Sequence, residues 1–220
     1  MKRLFIETKY AGKLNLPQKM LTQLPKKVVL ALPVQFLDFL EPVTKQLERA
    51  GKKVILFKSK HGKYPGQILG CAVEKCPGDY DAFLYIGDGK FHPTALLYNN
   101  NKPVYCYNPF NEKIEVLDHS YLEKIQKRKK GQLAKFLVSE NIGILVTSKS
   151  GQSRGKKAEE LREKLEKAGR KAFVFLADEI DFNSLENFNF IEVWINTACP
   201  RIVEGFKCLN IDDLTEIGYW

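Results

Sequence analysis

Apolar positions along the chain fall into short dense runs separated by amphipathic stretches. Lys26 to Pro33 (KKVVLALP) reads as a buried strand. A helix follows, with Phe36, Leu40, Val43 and Leu47 near helical spacing, and Pro42 either kinks it or marks its first turn. Leu47-Glu48-Arg49-Ala50-Gly51-Lys52-Lys53 then leads into a strand from Val54 to Phe57. The second half repeats the pattern: a strand Ile142 to Val146, a helix with Ala158, Leu161, Leu165 and Ala168 on one face, Leu165-Glu166-Lys167-Ala168-Gly169-Arg170-Lys171, and a strand Ala172 to Ala177. Gly51 and Gly169 each follow an alanine and precede basic residues, as a residue just past a helix end does. Asp81 to Gly87 supplies a third strand of the first unit, Phe190 to Asn196 is its counterpart, and Lys102 to Tyr107 adds a fourth, after which the first unit ends.

Strands alternating with helices give parallel sheets with right-handed crossovers. The fold class is therefore α/β: two tandem Rossmann-like units, each a small parallel sheet flanked by helices. The expected division is a lead-in over 1–23, a first unit over 24–118, a charged connecting helix over 119–139 and a second unit over 140–220. Ligand sites in such sheets collect at the carboxyl ends of strands. Three segments fall there: Ser148 to Arg154 (SKSGQSR), Gly87 to Pro93 (GDGKFHP), and Asn196-Thr197-Ala198-Cys199-Pro200-Arg201. Cys199 is thus placed like a ligand or a reactive group, and Cys71 ends a comparable segment, Pro65-Gly66-Gln67-Ile68-Leu69-Gly70-Cys71.

Composition narrows the classes. Of 220 residues 44% are hydrophobic, ordinary for a globular protein, and apolar runs such as Val28 to Leu32 fall far short of the ~18 residues a membrane span needs. The N-terminus lacks the apolar segment of a signal peptide, so a cytoplasmic location is expected. Five cysteines, an odd number, make a poor disulfide framework. The net charge of +9 is partly concentrated in Lys127-Arg128-Lys129-Lys130 and Lys156-Lys157, which read as solvated helix faces, and no aromatic-interleaved basic motif points to nucleic acid.

Three chemistries are open to these residues. Thiolates bind zinc or iron–sulfur clusters, but Cys71-x4-Cys76 is too loose for a zinc knuckle, and Cys76, Cys106 and Cys208 read as buried apolar residues. Gly151 to Lys157 (GQSRGKK) resembles a phosphate loop with one residue too few and Lys157 in the place of the magnesium-binding hydroxyl, so ATP hydrolysis is not indicated. A loop before a helix still suits an anionic group, including a carboxylate. Gly87-x-Gly89 begins a dinucleotide fingerprint, but His92 stands where its last glycine belongs. A thiol–base pair of Cys199 with His92 or His119 has no support in spacing.

Taken together, Tyr64 to Cys71 (YPGQILGC), Asp81 to Pro93, Ser148 to Arg154 and Asn196 to Ile202 resemble, in order, the archaeal diphthamide synthase family. The resemblance implies a non-classical radical S-adenosylmethionine (SAM) enzyme of three similar α/β domains. Each domain gives one cysteine to a [4Fe-4S] cluster whose open iron binds SAM. Reductive cleavage yields a 3-amino-3-carboxypropyl radical that adds to a histidine of translation elongation factor two. Cys71 matches the second-domain ligand and Cys199 the third-domain ligand. Lys149, Gly151, Gln152 and Arg154, with Arg201, are the residues expected to hold SAM.

Two of the three implied domains are present, and two of three cysteines. The segment Met1 to Tyr10 resembles the one leading out of the missing domain. A separate chain carrying that domain, a truncated chain, or a relative that keeps the fold as a cluster-free scaffold would each produce this pattern. Retention of both cysteine motifs and of the Gln152 loop favours the split enzyme, with elongation factor two as protein substrate and assembly as a homo- or hetero-oligomer.

Overall fold

The computed structural model describes residues 6–60, 62–70, 74–149, 151–203 and 206–220. The chain forms two compact units, 1–122 and 123–220. Among the described residues no helix is long and apolar enough to cross a membrane.

The first unit is built on a five-stranded sheet. Its strands are β1 (Lys27–Ala31), β2 (Lys53–Leu56), β3 (Ala82–Ile86), β4 (Val104–Asn108) and β5 (Lys113–Leu117), in the order β2-β1-β3-β4-β5. The first four are mutually parallel, as expected; β5 is antiparallel to β4, with Tyr107 opposite Ile114. The unit therefore does not end with its fourth strand. β5 follows β4 through a tight turn in which Glu112 takes φ 56°, and such a hairpin edge belongs to no βαβ repeat.

Helix α1 (Gln18–Gln23) precedes the sheet, and α2 (Leu40–Arg49) and α3 (Phe91–Leu97) cross between strands. A 3-10 segment, Val34–Phe39, comes before α2, so Pro42 stands in the first turn of α2, where its missing N–H costs nothing. Val28, Leu30, Leu32, Leu84 and Ile86 pack one sheet face against Phe36, Val43 and Leu47. The lead-in belongs to this core: Leu14, Leu16, Met20 and Leu21 are buried in it. Gln46 fixes Leu16 from both sides, accepting its N–H at 2.9 Å and donating to its carbonyl at 2.8 Å.

Helix α4 (His119–Val138) enters the second unit, which holds β6 (Asn141–Thr147), α5 (Gly155–Lys167), β7 (Lys171–Ala177), β8 (Val193–Asn196) and β9 (Cys208–Asn210). The sheet order is β7-β6-β8-β9, all parallel. Central β6 is buried on both faces. Ile142, Ile144, Val146, Val193 and Ile195 pack on Phe136, Ala158, Leu161 and Leu165, while Leu145, Trp194 and Cys208 pack on the β7–β8 connection through Ile191 and Phe188. The shared Ala-Gly-basic motif ends α2 and α5 alike, with Gly51 at φ 74° and Gly169 at φ 78°, left-handed values that favour glycine.

Cys76 and Cys208 are buried and Cys106 half-buried. Burial pushes the thiol of Cys76 up to about 11 and that of Cys106 up to about 12, and raises that of Cys208. All three stay protonated at neutral pH, since a raised pKa keeps the thiol form below it. Iodoacetamide at pH 7.5 should label Cys76 and Cys208 only on unfolding, and half-buried Cys106 far more slowly than a free thiol, as followed by mass spectrometry; labelling at the rate of a free thiol would contradict this burial. Gly143 in β6 lies against Trp194, so that a Cβ there would run into the indole ring. Gly143→Ala should destabilise the protein by about 1–3 kcal/mol through overpacking, read as a lowered Tm in a thermal melt; an unchanged Tm would contradict this contact.

Candidate metal centre and cofactor loops

In the second sheet the chain leaves β6 for β7 on one side and returns to β8 on the other. The order reverses between β6 and β8, and the loops after these two strands flank the crevice such a reversal opens. The loop after β6 is the Gln152 segment, and the loop after β8 carries Cys199. Both therefore lie at the carboxyl edge of neighbouring parallel strands, as their sequence positions predict.

The Cys199 loop is tied to the sheet at each step. Thr197, fully buried, donates to the Leu145 carbonyl through its N–H at 3.0 Å and its Oγ1 at 2.8 Å. Asn196 Oδ1 accepts the Ala198 N–H at 3.0 Å, and Asn196 Nδ2 donates to the Cys199 carbonyl at 3.1 Å and to Asn210 Oδ1 at 2.8 Å. Asn210 Nδ2 donates to the Pro200 carbonyl at 3.0 Å. Pro200 opens a 3-10 turn, Pro200–Val203, in which the Ile202 N–H reaches the Cys199 carbonyl at 3.2 Å. Cys199 remains half-buried, and Arg201 beside it is buried.

The Gln152 loop is held by Asp178 and Glu179, which follow β7. Thr147 Oγ1 donates to the Asp178 carbonyl at 2.9 Å and accepts the Lys149 N–H at 3.1 Å; the Ser148 hydroxyl bonds the Asp178 carboxylate. The Lys149 carbonyl accepts the N–H of Gln152 at 3.0 Å and of Ser153 at 3.1 Å, curling the loop into the start of α5. Gly151 and the Gln152 side chain are exposed. Lys149 pairs with Glu179 at 2.7 Å and Arg154 with Asp212 at 3.2 Å, and Lys157 approaches Asp212 at 3.6 Å. Hydrogen bonding to Lys149 holds the Glu179 carboxyl below its ordinary range. Solvent-exposed pairs of this kind are worth roughly 0–1 kcal/mol, so an incoming carboxylate can displace Asp212 or Glu179 at small cost.

In the first unit the proposed ligand Cys71 lies outside the described residues, as Ser150 does in the second. The chain leading to Cys71 is described. Gln67 forms a bridge to Leu32, extending the line of β1, and the Ile68 N–H reaches the Leu32 carbonyl at 2.9 Å. Gly70 then packs so closely on Phe91 that a Cβ would enter the ring. The YPGQILG and GDGKFHP segments, separate in sequence, thus meet at the carboxyl edge of the first sheet. Asp88 anchors the second of them: its carbonyl accepts from Tyr85 at 3.0 Å, and its Oδ1 accepts from Asn108 at 2.7 Å and the Gly89 N–H at 2.8 Å. Phe91 is already helical, which shortens the expected turn. His92 stacks over Tyr85, and His119 Nε2 lies 2.9 Å from the Asn100 carbonyl.

Asn196, Asn210 and Asp212 are the residues that sequence reading passed over. Asn196 opens the segment that carries Cys199, but its partner Asn210 sits at the end of a three-residue strand too short to show periodicity. Among the described residues no three His, Cys, Asp or Glu side chains gather as a metal site.

A family model described as "Putative diphthamide synthesis protein" matches residues 2–204. The chain is 30% identical over 183 residues to the 2-(3-amino-3-carboxypropyl)histidine synthase of Pyrococcus horikoshii, covering 82% of this chain and 52% of that protein. It is 28% identical over 181 residues to human 2-(3-amino-3-carboxypropyl)histidine synthase subunit 1, covering 81% of this chain and 41% of that protein. Relatives thus occur in archaea and eukaryotes, and the chain spans about half the length of the curated relatives it matches. The crystal structure of Dph2 from Pyrococcus horikoshii with a 4Fe-4S cluster superposes with a TM-score of 0.67 at 25% identity, over 90% of this chain and 59% of that one. With its four motifs in order on two α/β units, and a family model spanning nearly its whole length, the chain belongs to the diphthamide synthesis protein family.

Proposed function

We propose that this chain is the two-domain part of a split 2-(3-amino-3-carboxypropyl)histidine synthase, active with a separate chain that carries the missing first domain. The observation that carries the proposal is the placement of the Cys199 loop and the Gln152 loop side by side at the carboxyl edge of β6 and β8. A cluster-bearing structural neighbour of the same fold supports it. In this reading Cys71 and Cys199 give two thiolates to a [4Fe-4S] cluster and the partner chain gives the third. When bound, the cluster supplies an electron and an open iron for SAM.

The protein's own residues bind and orient. Gln152 offers its exposed amide to the methionine portion of SAM, and the N–H groups at the start of α5 face the same loop. Arg154 exchanges Asp212 for the SAM carboxylate. Lys149 adds a second positive charge at the loop, and buried Arg201 adds another beside Cys199. The acceptor is a histidine of elongation factor two, which receives the 3-amino-3-carboxypropyl group.

Anaerobic reconstitution of the chain with a separately produced first domain should give about four irons per complex. Cys199→Ala and Cys71→Ala should each lose that iron. Iron content unchanged by Cys199→Ala would refute the proposal and favour a cluster-free scaffold. Arg154→Ala should weaken SAM binding by roughly tenfold, the effect of one charge-assisted hydrogen bond, with iron content unchanged; calorimetric titration with SAM measures this, and equal affinity would remove Arg154 from the site.

A further inference from the structure

The Cys199 loop is cross-braced by two asparagines that the binding of cluster and SAM does not itself require. We infer that Asn196 and Asn210 are positioning residues, a clamp that fixes the backbone of residues 198–200 and so aims the Cys199 thiol. The inference rests on the proposed role of Cys199 as a metal ligand.

Asn196 and Asn210 are register partners at the ends of parallel β8 and β9. Asn196 is 1% exposed, and its amide is fully used: Oδ1 on the Ala198 N–H, both Nδ2 hydrogens on the Cys199 carbonyl and Asn210 Oδ1. Asn210 also caps the 3-10 helix Ile211–Ile217: its side chain accepts the Asp213 N–H, Asp213 Oδ2 accepts its own N–H at 2.8 Å, and its Nδ2 donates to the Pro200 carbonyl. The bond from Ala198 to Asn196 Oδ1 is a local turn that any Asn or Asp makes. The donors are different. They reach the carbonyls of the cysteine and of the proline after it, from two strands of a rigid sheet. An aspartate at either place keeps the turn or the cross-strand acceptor and loses the donor. Ligands are held to geometry by such supporting bonds, and a loosely held ligand is a common way for a metal site to fail.

A test compares Asn210→Ala, Asn210→Asp and Asn196→Asp in the full 220-residue chain. The readout is the rate of iodoacetamide labelling at Cys199, at fixed pH and without metal, resolved by peptide mass spectrometry. Cys208, buried in the same unit, is the internal reporter of general opening there, and Cys76 that of the first unit. Asn210→Ala, which removes the bond to the Pro200 carbonyl, the acceptor for Asn196 and the cap on the Asp213 N–H, should label Cys199 at least roughly three- to tenfold faster, the factor that a single lost hydrogen bond contributes to a local opening equilibrium, with Cys76 and Cys208 still protected. Asn210→Asp, which keeps the acceptor toward Asn196, should fall between Asn210→Ala and wild type. In the reconstituted complex the same variants should alter the electron paramagnetic resonance signal of the reduced cluster.

Wild-type labelling rates in both Asn210→Ala and Asn196→Asp would overturn the clamp. So would acceleration shared by Cys208, which would mean general loosening of the second unit. The two readings fail separately. No iron uptake by the wild-type complex, with Cys199 rates separated as stated, would sink the cofactor reading and leave the clamp. Iron that depends on Cys199, with coincident rates, would do the reverse.

Discussion

The parallel pairing of β6 with β8 is the constraint on which the rest of the second unit depends. Ile142 lies opposite Val193 and Leu145 opposite Asn196, so both strands end at the same edge. Their register is fixed by burial on two faces, with Ile195 in one core and Trp194 in the other. A slip of one residue would exchange those faces, bringing an indole into the space of an isoleucine. Thr197 bonds Leu145 only in this register, and Cys199 follows two residues later. The place of the thiol is therefore inherited from the packing of Val193 to Ile195.

Charge acts in the opposite way, loosely. The cations of the Gln152 loop are paired, but with exposed carboxylates on other elements: Glu179 after β7 for Lys149, Asp212 after β9 for Arg154. Such pairs hold side chains near the crevice without committing much free energy. The loop thus combines a backbone curl set by the Lys149 carbonyl with side chains free to change partner. A rigidly held Cys199 loop beside a loop whose ion pairs exchange easily is the division of labour that the proposed function uses.

Much of this was readable in the sequence because it is written in repeats. The paired Ala-Gly-basic endings marked α2 and α5, and dense apolar runs marked β1, β3, β6 and β8. What escaped has physical reasons. β5 is a hairpin edge outside the βαβ pattern, and β9 is three residues long. Asn210 has a local role as the cap of the 3-10 helix Ile211–Ile217, and its link to the Cys199 loop shows only through its register with Asn196. The contact of Gly70 with Phe91 joins two motifs no local pattern connects. The segments leading to the two cysteine motifs also differ more than their sequences suggest. The loop after β3, centred on Asp88, is the topological counterpart of the one bearing Cys199, whereas the YPGQILG segment bridges through Gln67 to Leu32 beyond the end of β1.

Membership of the diphthamide synthesis family, with about half the length of curated relatives, makes completeness the central question. The most direct measurement incubates elongation factor two with SAM, a reductant and the anaerobically reconstituted two-chain complex, then maps the factor by mass spectrometry. The account predicts one 3-amino-3-carboxypropyl group on a single histidine, formed only when both chains are present and absent with Cys199→Ala. An unmodified factor in the presence of a fully loaded complex would contradict it.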